Sequence, residues 1–202
     1  LNSIDQKIAP DTKNGVFIVA LDPMAVSSLG DDPDDVESFR ENRSVLASMS
    51  SPNGSHPNVE YWYEKKKGFG LIFLSNLGQA LEPTKRLHED GWLEITVSMD
   101  DKAVAKRHEK KLAWFKGSVA KYTYSPLRFE YLERTVEMLN QHGRVLLVRL
   151  PVSPPFLEVE RDHVPDFDRL VEQMATRQGV DYLRFENGED YRYTDGSHLH
   201  KS

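Results

Sequence analysis

The chain of 202 residues contains no cysteine. That excludes disulfides, thiolate metal centres and a cysteine nucleophile, and it leaves the redox compartment open. No segment approaches the roughly 20 consecutive apolar residues of a membrane span, and no secretory leader pattern is visible. Positive charge is sparse: the net charge is −6 and, apart from one short lysine run, the basic residues are scattered. A nucleic-acid surface needs a concentrated positive field, so the overall charge argues against that function class. Also missing is a serine set after an apolar strand in a recognisable nucleophile loop. What remains is a chain whose 39% hydrophobic content is enough for one real core under a well-solvated surface.

Hydrophobic patterning gives the fold class. Val16-Phe-Ile-Val-Ala-Leu21 is a short apolar run between Asn14-Gly15 and Asp22-Pro23 and reads as a buried strand. Residues 27–58 are rich in Ser, Asp, Pro, Gly and Asn and read as a long loop with one helix from Val36 to Met49. The cluster Asp31-Asp32-Pro33-Asp34-Asp35 reads as a solvated loop with charges for a helix N-terminus, ahead of a cation site. Tyr61-Trp62-Tyr63 before Lys65-Lys66-Lys67 reads as core packing with a solvated flank, with glycan or nucleic-acid binding as the sharper alternative. Phe69–Leu74 is a strand or a buried helical turn, and Trp92–Val97 alternates as a half-buried strand does.

The second half is clearer. Lys102–Lys121 is helical, with Val104, His108, Leu112 and Phe115 on one stripe. Ser125-Pro126 starts the next helix, which carries Phe129, Leu132, Val136 and Leu139 and stops at Gly143. Val145–Leu150 is nearly continuously apolar, as strands of parallel sheets are. Pro151–Pro155 breaks it, Val164–Gln178 is an amphipathic helix through Phe167, Leu170, Val171 and Met174, and Gly179 leads into a strand at Val180–Phe185. Helix, strand, helix, strand with tight glycine stops predicts parallel crossovers in an α/β fold.

Sites in such sheets lie outside the carboxyl ends of the strands. Three segments lead there: Asp22-Pro23-Met24, Pro151–Pro155 and the polar turn Thr194-Asp-Gly-Ser-His198. In that turn Asp195 and His198 are three residues apart, so a carboxylate can hold one imidazole nitrogen while the other faces a cleft as a general base. The other readings are a capped polar turn and a metal site drawn from Asp195, His198 and His200, for which a further protein ligand is plausible but none is marked by spacing. Ser197 adjoins His198 but would point away from it, and Asn53-Gly-Ser-His-Pro57 has no strand running into it and reads as a plain turn. His108, His142 and His163 read as surface or structural histidines.

The segment Tyr193-Thr-Asp-Gly-Ser-His-Leu199, with the preceding helix–strand units and the strand ending Leu150-Pro151-Val152, resembles the SGNH (GDSL-type) hydrolase superfamily. It is most similar to members related to the D-alanyl transfer protein of teichoic acids and to alginate O-acetylation proteins. The resemblance implies a three-layer flavodoxin-like parallel sheet flanked by helices, as one domain over 1–202 with an irregular insertion at about 27–90. It implies Asp195 as orienting acid and His198 as base, no cofactor, and an acylated small molecule or polysaccharide as partner, with an extracytoplasmic or cell-envelope setting. The family's nucleophilic serine motif is not in this chain, and Ala20-Leu21-Asp22-Pro23 stands where its asparagine-bearing oxyanion block follows a strand. The chain begins at Leu1 rather than Met, and the expectation is a fragment cut at both ends with its serine upstream. The competing expectation is a serine-less binding module on the same fold, with Tyr61-Trp62-Tyr63 as its platform.

Overall fold

Three parallel strands form the sheet in the computed structural model, which describes residues 8, 11–39, 85–87, 93–185 and 188–201. Strand β1 is Gly15–Ala20, and its central partner β6, Gly143–Arg149, pairs with it from Gly15 opposite Gly143 to Ala20 opposite Val148. Strand β7, Asp181–Arg184, completes the order β1-β6-β7. Between β1 and β6 run two short antiparallel ribbons. One pairs β2 (Ser27–Leu29) with β5 (Tyr122–Tyr124), and the other pairs β3 (Lys85–Leu87) with β4 (Leu93–Ile95). The apolar runs at 16, 145 and 180 are therefore strands of one parallel sheet, but β1, expected as a buried strand, partly buries only alternate residues and leaves Val16 and Ile18 exposed.

Helices α1 (Asp101–Val119), α2 (Pro126–Asn140), α3 (Pro154–His163) and α4 (Phe167–Gln178) supply the second component. Each end follows its local chemistry. Asp100 caps α1 by accepting the Ala103 N–H at 2.9 Å. Ser125 caps α2 through the Arg128 N–H at 3.0 Å, with Pro126 in the first turn where a missing N–H costs nothing. Asp34 reaches the same helix start and accepts from Ser125 Oγ at 2.6 Å and Leu127 N at 3.1 Å. That is where the acidic cluster spends one of its charges. Gly179 ends α4 at φ 65°, a left-handed cap for which glycine alone carries no steric cost.

The core lies on one sheet face. Val145 and Leu147 of β6, with Phe17 and Val19 of β1 and Tyr182 of β7, meet Phe129, Val136 and Leu139 of α2 and Val171, Met174 and Ala175 of α4. On the other face Val16 and Ile18 are 67% and 69% exposed. The architecture is thus α/β with a helix-flanked parallel sheet.

Two sequence expectations change. Gly143 does not stop α2 with a left-handed turn; it begins β6. A Cβ there would lie 2.5 Å from Gly15 N, so the glycine serves close strand approach. Pro154-Pro155 does not merely break the chain after β6. The pair opens α3, a helix the sequence reading omitted, because proline fits a first helical turn. The expected helix over Val36–Met49 is described only at Val36–Ser38, as one 3-10 turn. The Asn53–Pro57 turn, Tyr61-Trp62-Tyr63, the Lys65–Lys67 run and the Phe69–Leu74 run lie outside the described residues.

Candidate acid–base site

The Asp195 turn is built from its own backbone first. Tyr193 and Leu199 form an antiparallel bridge, Thr194 N–H donates to His198 O at 2.9 Å, and His200 N–H donates to Arg192 O at 2.8 Å. Inside that loop Asp195 Oδ1 accepts the N–H groups of Ser197 at 3.1 Å and His198 at 3.0 Å, an Asx-type turn. Gly196 takes φ 92°, a conformation side chains rarely adopt. This local wiring is why Asp-Gly-Ser-His folds as it does.

The other carboxylate oxygen holds the imidazole. Asp195 Oδ2 lies 2.8 Å from His198 Nδ1. An ionised carboxylate only accepts, so Nδ1 carries a proton, and in the neutral ring it is Nε2 that keeps the lone pair. The His198 side chain is 67% exposed and the Asp195 side chain 16%. Burial pushes the Asp195 carboxyl up. The hydrogen bonds from His198, Lys111 and the two turn amides outweigh it and hold the group well below the usual carboxylate range. Asp195 is therefore a permanent anion at neutral pH, as an orienting acid must be.

Three residues of helix α1 support this turn, two by direct hydrogen bonds and one through Ser153, in contacts that sequence reasoning missed. Arg107 Nε donates to Thr194 O at 2.9 Å, and its Nη2 donates to Ser98 O at 2.6 Å. His108 packs edge-on against Phe156 and lies 2.9 Å from Ser153 Oγ, while Ser153 N–H donates to Gly196 O at 2.8 Å. Lys111 Nζ donates to Asp195 Oδ2 at 3.0 Å and lies equally close to His198 Nδ1. Residues 107, 108 and 111 share a helix face, which is legible in the sequence. Their partner, some 85 residues on, is not. The ammonium also stands where a cation bound by Asp195 and His198 would need to be, and no metal-binding cluster including His200 forms among the described residues.

Neither serine–histidine pair among the described residues is a nucleophile and its base. Ser27 Oγ donates to Pro23 O at 2.7 Å, so His163 Nε2 donates to Ser27 Oγ at 2.9 Å; burial lowers the pKa of His163, keeping it neutral. Ser153 is buried, and Pro154 and Pro155 after it lack the N–H groups an oxyanion would require. Ser197 turns its hydroxyl toward Asp195 Oδ1 at 3.3 Å, not toward the base, as its position beside His198 led us to expect.

A cleft of about 320 Å³ opens at His198. Its floor comes from Ala20, Leu21 and Asp22 after β1 and from Arg149 and Leu150 at the end of β6, the carboxyl ends of parallel strands. Arg149 Nη2 pairs with Glu160 Oε2 at 2.6 Å, both side chains buried. Burial raises the Glu160 pKa and Arg149 only partly offsets it. Comparison with family models, with curated proteins and with solved structures finds no match to this chain.

Proposed function

We propose that Asp195 and His198 are the orienting acid and the general base of an SGNH-type ester hydrolase or O-acyltransferase. The observation that carries this reading is the 2.8 Å contact from Asp195 Oδ2 to His198 Nδ1, with the imidazole exposed at a cleft beyond the sheet's carboxyl edge. The nucleophile in this reading is a serine outside the described residues. His198 Nε2 takes its proton as Oγ bonds to the acyl carbon, and backbone amides stabilise the oxyanion. As the acyl–oxygen bond breaks, His198 returns that proton to the leaving alkoxide. Water, or an acceptor hydroxyl, then attacks the acyl-serine with the same base. The expected substrates are acylated small molecules or polysaccharides, and the expected setting is the cell envelope, both by analogy with the family the turn resembles.

The test is turnover of 4-nitrophenyl acyl esters by the full-length protein. His198→Ala lowers kcat/KM by two orders of magnitude or more, about 2.7 kcal/mol of transition-state stabilisation. Unchanged turnover removes His198 from the mechanism. A second reading, a binding module without chemistry, draws on one observation: no described serine hydroxyl is hydrogen-bonded to His198. It expects oligosaccharide binding and no turnover.

A further inference from the structure

The cleft has an apolar side that the acid–base pair does not use. Lys111, Trp114 and Phe115 lie at i, i+3 and i+4 on α1, so the face that holds Asp195 also presents two aromatic rings to the cleft. Phe115 stacks on Phe156 with ring centroids 5.3 Å apart and planes at 28°. Leu150 and Val152 line the same space from the segment after β6. Trp114 is 66% exposed, and Leu150 is also exposed.

Away from His198 Nε2, the charged groups around this space mostly have partners within the protein. Lys111 is bound to Asp195, Arg149 to Glu160, and Asp22 Oδ1 to the Ala25 N–H at 2.8 Å. A sugar ring entering here would bring hydroxyls that lose water and find few open partners, which is costly. A volume of about 320 Å³ is at the small end for ligand pockets, which run from roughly 300 to 1,000 Å³. The unsatisfied surface is hydrocarbon, and the matching ligand group is hydrocarbon.

We propose that this aromatic wall is the acyl-chain subsite: it takes a linear aliphatic acyl group, its carbonyl toward His198 and its tail on Trp114. The assignment rests on the ester-processing reading for the direction of the carbonyl, while the binding of the tail stands without it.

The experiment uses the full 202-residue chain, isotopically labelled, and a neutral non-hydrolysable series from N-methylacetamide to N-methylhexanamide. Affinity is read from NMR shifts of the Trp114 indole N–H and the His198 ring. Affinity rises about fourfold per added methylene, the equivalent of about 0.8 kcal/mol for a buried CH₂. Trp114→Ala, at an exposed position that leaves the fold intact, reduces the gain to less than about twofold per methylene, and Trp114→Phe restores part of it. Affinity independent of chain length overturns the proposal, as does a series untouched by Trp114→Ala. Neutral oligosaccharides shifting Trp114 at lower concentration than the hexanoyl probe also overturn it, in favour of a glycan platform. Should the series hold while the full-length protein turns over no acyl ester, the acid–base reading falls and the acyl subsite stands.

Discussion

Gly196→Ala is the sharpest perturbation of the turn that leaves the Asp195 and His198 side chains in place. Two costs apply. At φ 92° a Cβ strains the backbone, by about 1–2 kcal/mol for a left-handed residue. The Cβ would also meet Phe156 Cε2 at 2.7 Å and His108 Nε2 at 2.8 Å, against an ordinary contact near 3.4–4 Å. Relieving that overlap in a packed region costs about 1–3 kcal/mol more, for a total of about 2–5 kcal/mol. Gly179→Ala is the internal control. It is also left-handed, at φ 65°, but nothing lies within 4 Å of its Cβ, so only the conformational cost of about 1–2 kcal/mol remains. Urea unfolding followed by circular dichroism measures both. With a slope of about 2 kcal/mol/M, Gly196→Ala lowers the midpoint by about 1–2.5 M and Gly179→Ala by less than about 1 M. Equal losses in the two variants would refute the claim that His108 and Phe156 hold the turn by contact.

Two further outcomes follow from the ion pairs. Arg149→Met strands Glu160 as a buried unpaired charge and costs about 3–5 kcal/mol. Arg149→Met with Glu160→Leu recovers most of that, and a denaturation double-mutant cycle showing simple additivity would remove the pair from the stability account. Asp195 gives a pH signature. Its folded pKa lies below the unfolded value of about 3.9, so its contribution is complete above about pH 5 and is lost as pH falls through 4 and below. Unfolding free energies of the parent and Asp195→Asn, measured from pH 7 to pH 2, should therefore converge on acidification; parallel curves would contradict the hydrogen-bond accounting at Oδ2.

How much of this was legible in the sequence depends on the range of each cause. The runs at 16, 145 and 180 were readable as strands because each is a short apolar-rich segment set off by turn residues, although only β6 is buried on both faces and β1 leaves Val16 and Ile18 exposed. The helix start at Ser125 was local too, a side chain and an N–H three residues on; the Asp100 cap is equally local but went unread, the helix being placed from Lys102. Three-residue strands such as Ser27–Leu29 and Tyr122–Tyr124 have no period to detect and exist because they pair with each other. Gly143 was misread for the same reason: its neighbour is Gly15, more than a hundred residues away. Pro154-Pro155 misled in another way. The same residues that forbid a helix interior favour its first turn, and only the amphipathic run after them distinguishes the cases.

The acid–base pair divides along the same line. Asp195 and His198 were legible because a three-residue turn suffices to bring a carboxylate to an imidazole. Their readiness was not, because it depends on what fills the carboxylate. Oδ1 takes two turn amides, and Oδ2 takes His198 Nδ1 and the Lys111 ammonium. An anion with that many donors keeps its charge and its rotamer, which fixes the imidazole tautomer and leaves Nε2 bare. The turn alone supplies the backbone donors; helix α1 supplies the ammonium, and through Arg107 and His108 it also holds the loop that carries the pair. A short Asp-x-x-His spacing elsewhere in a sequence would lack that support, and so the helix, not the spacing, is what separates this turn from a polar turn with the same letters.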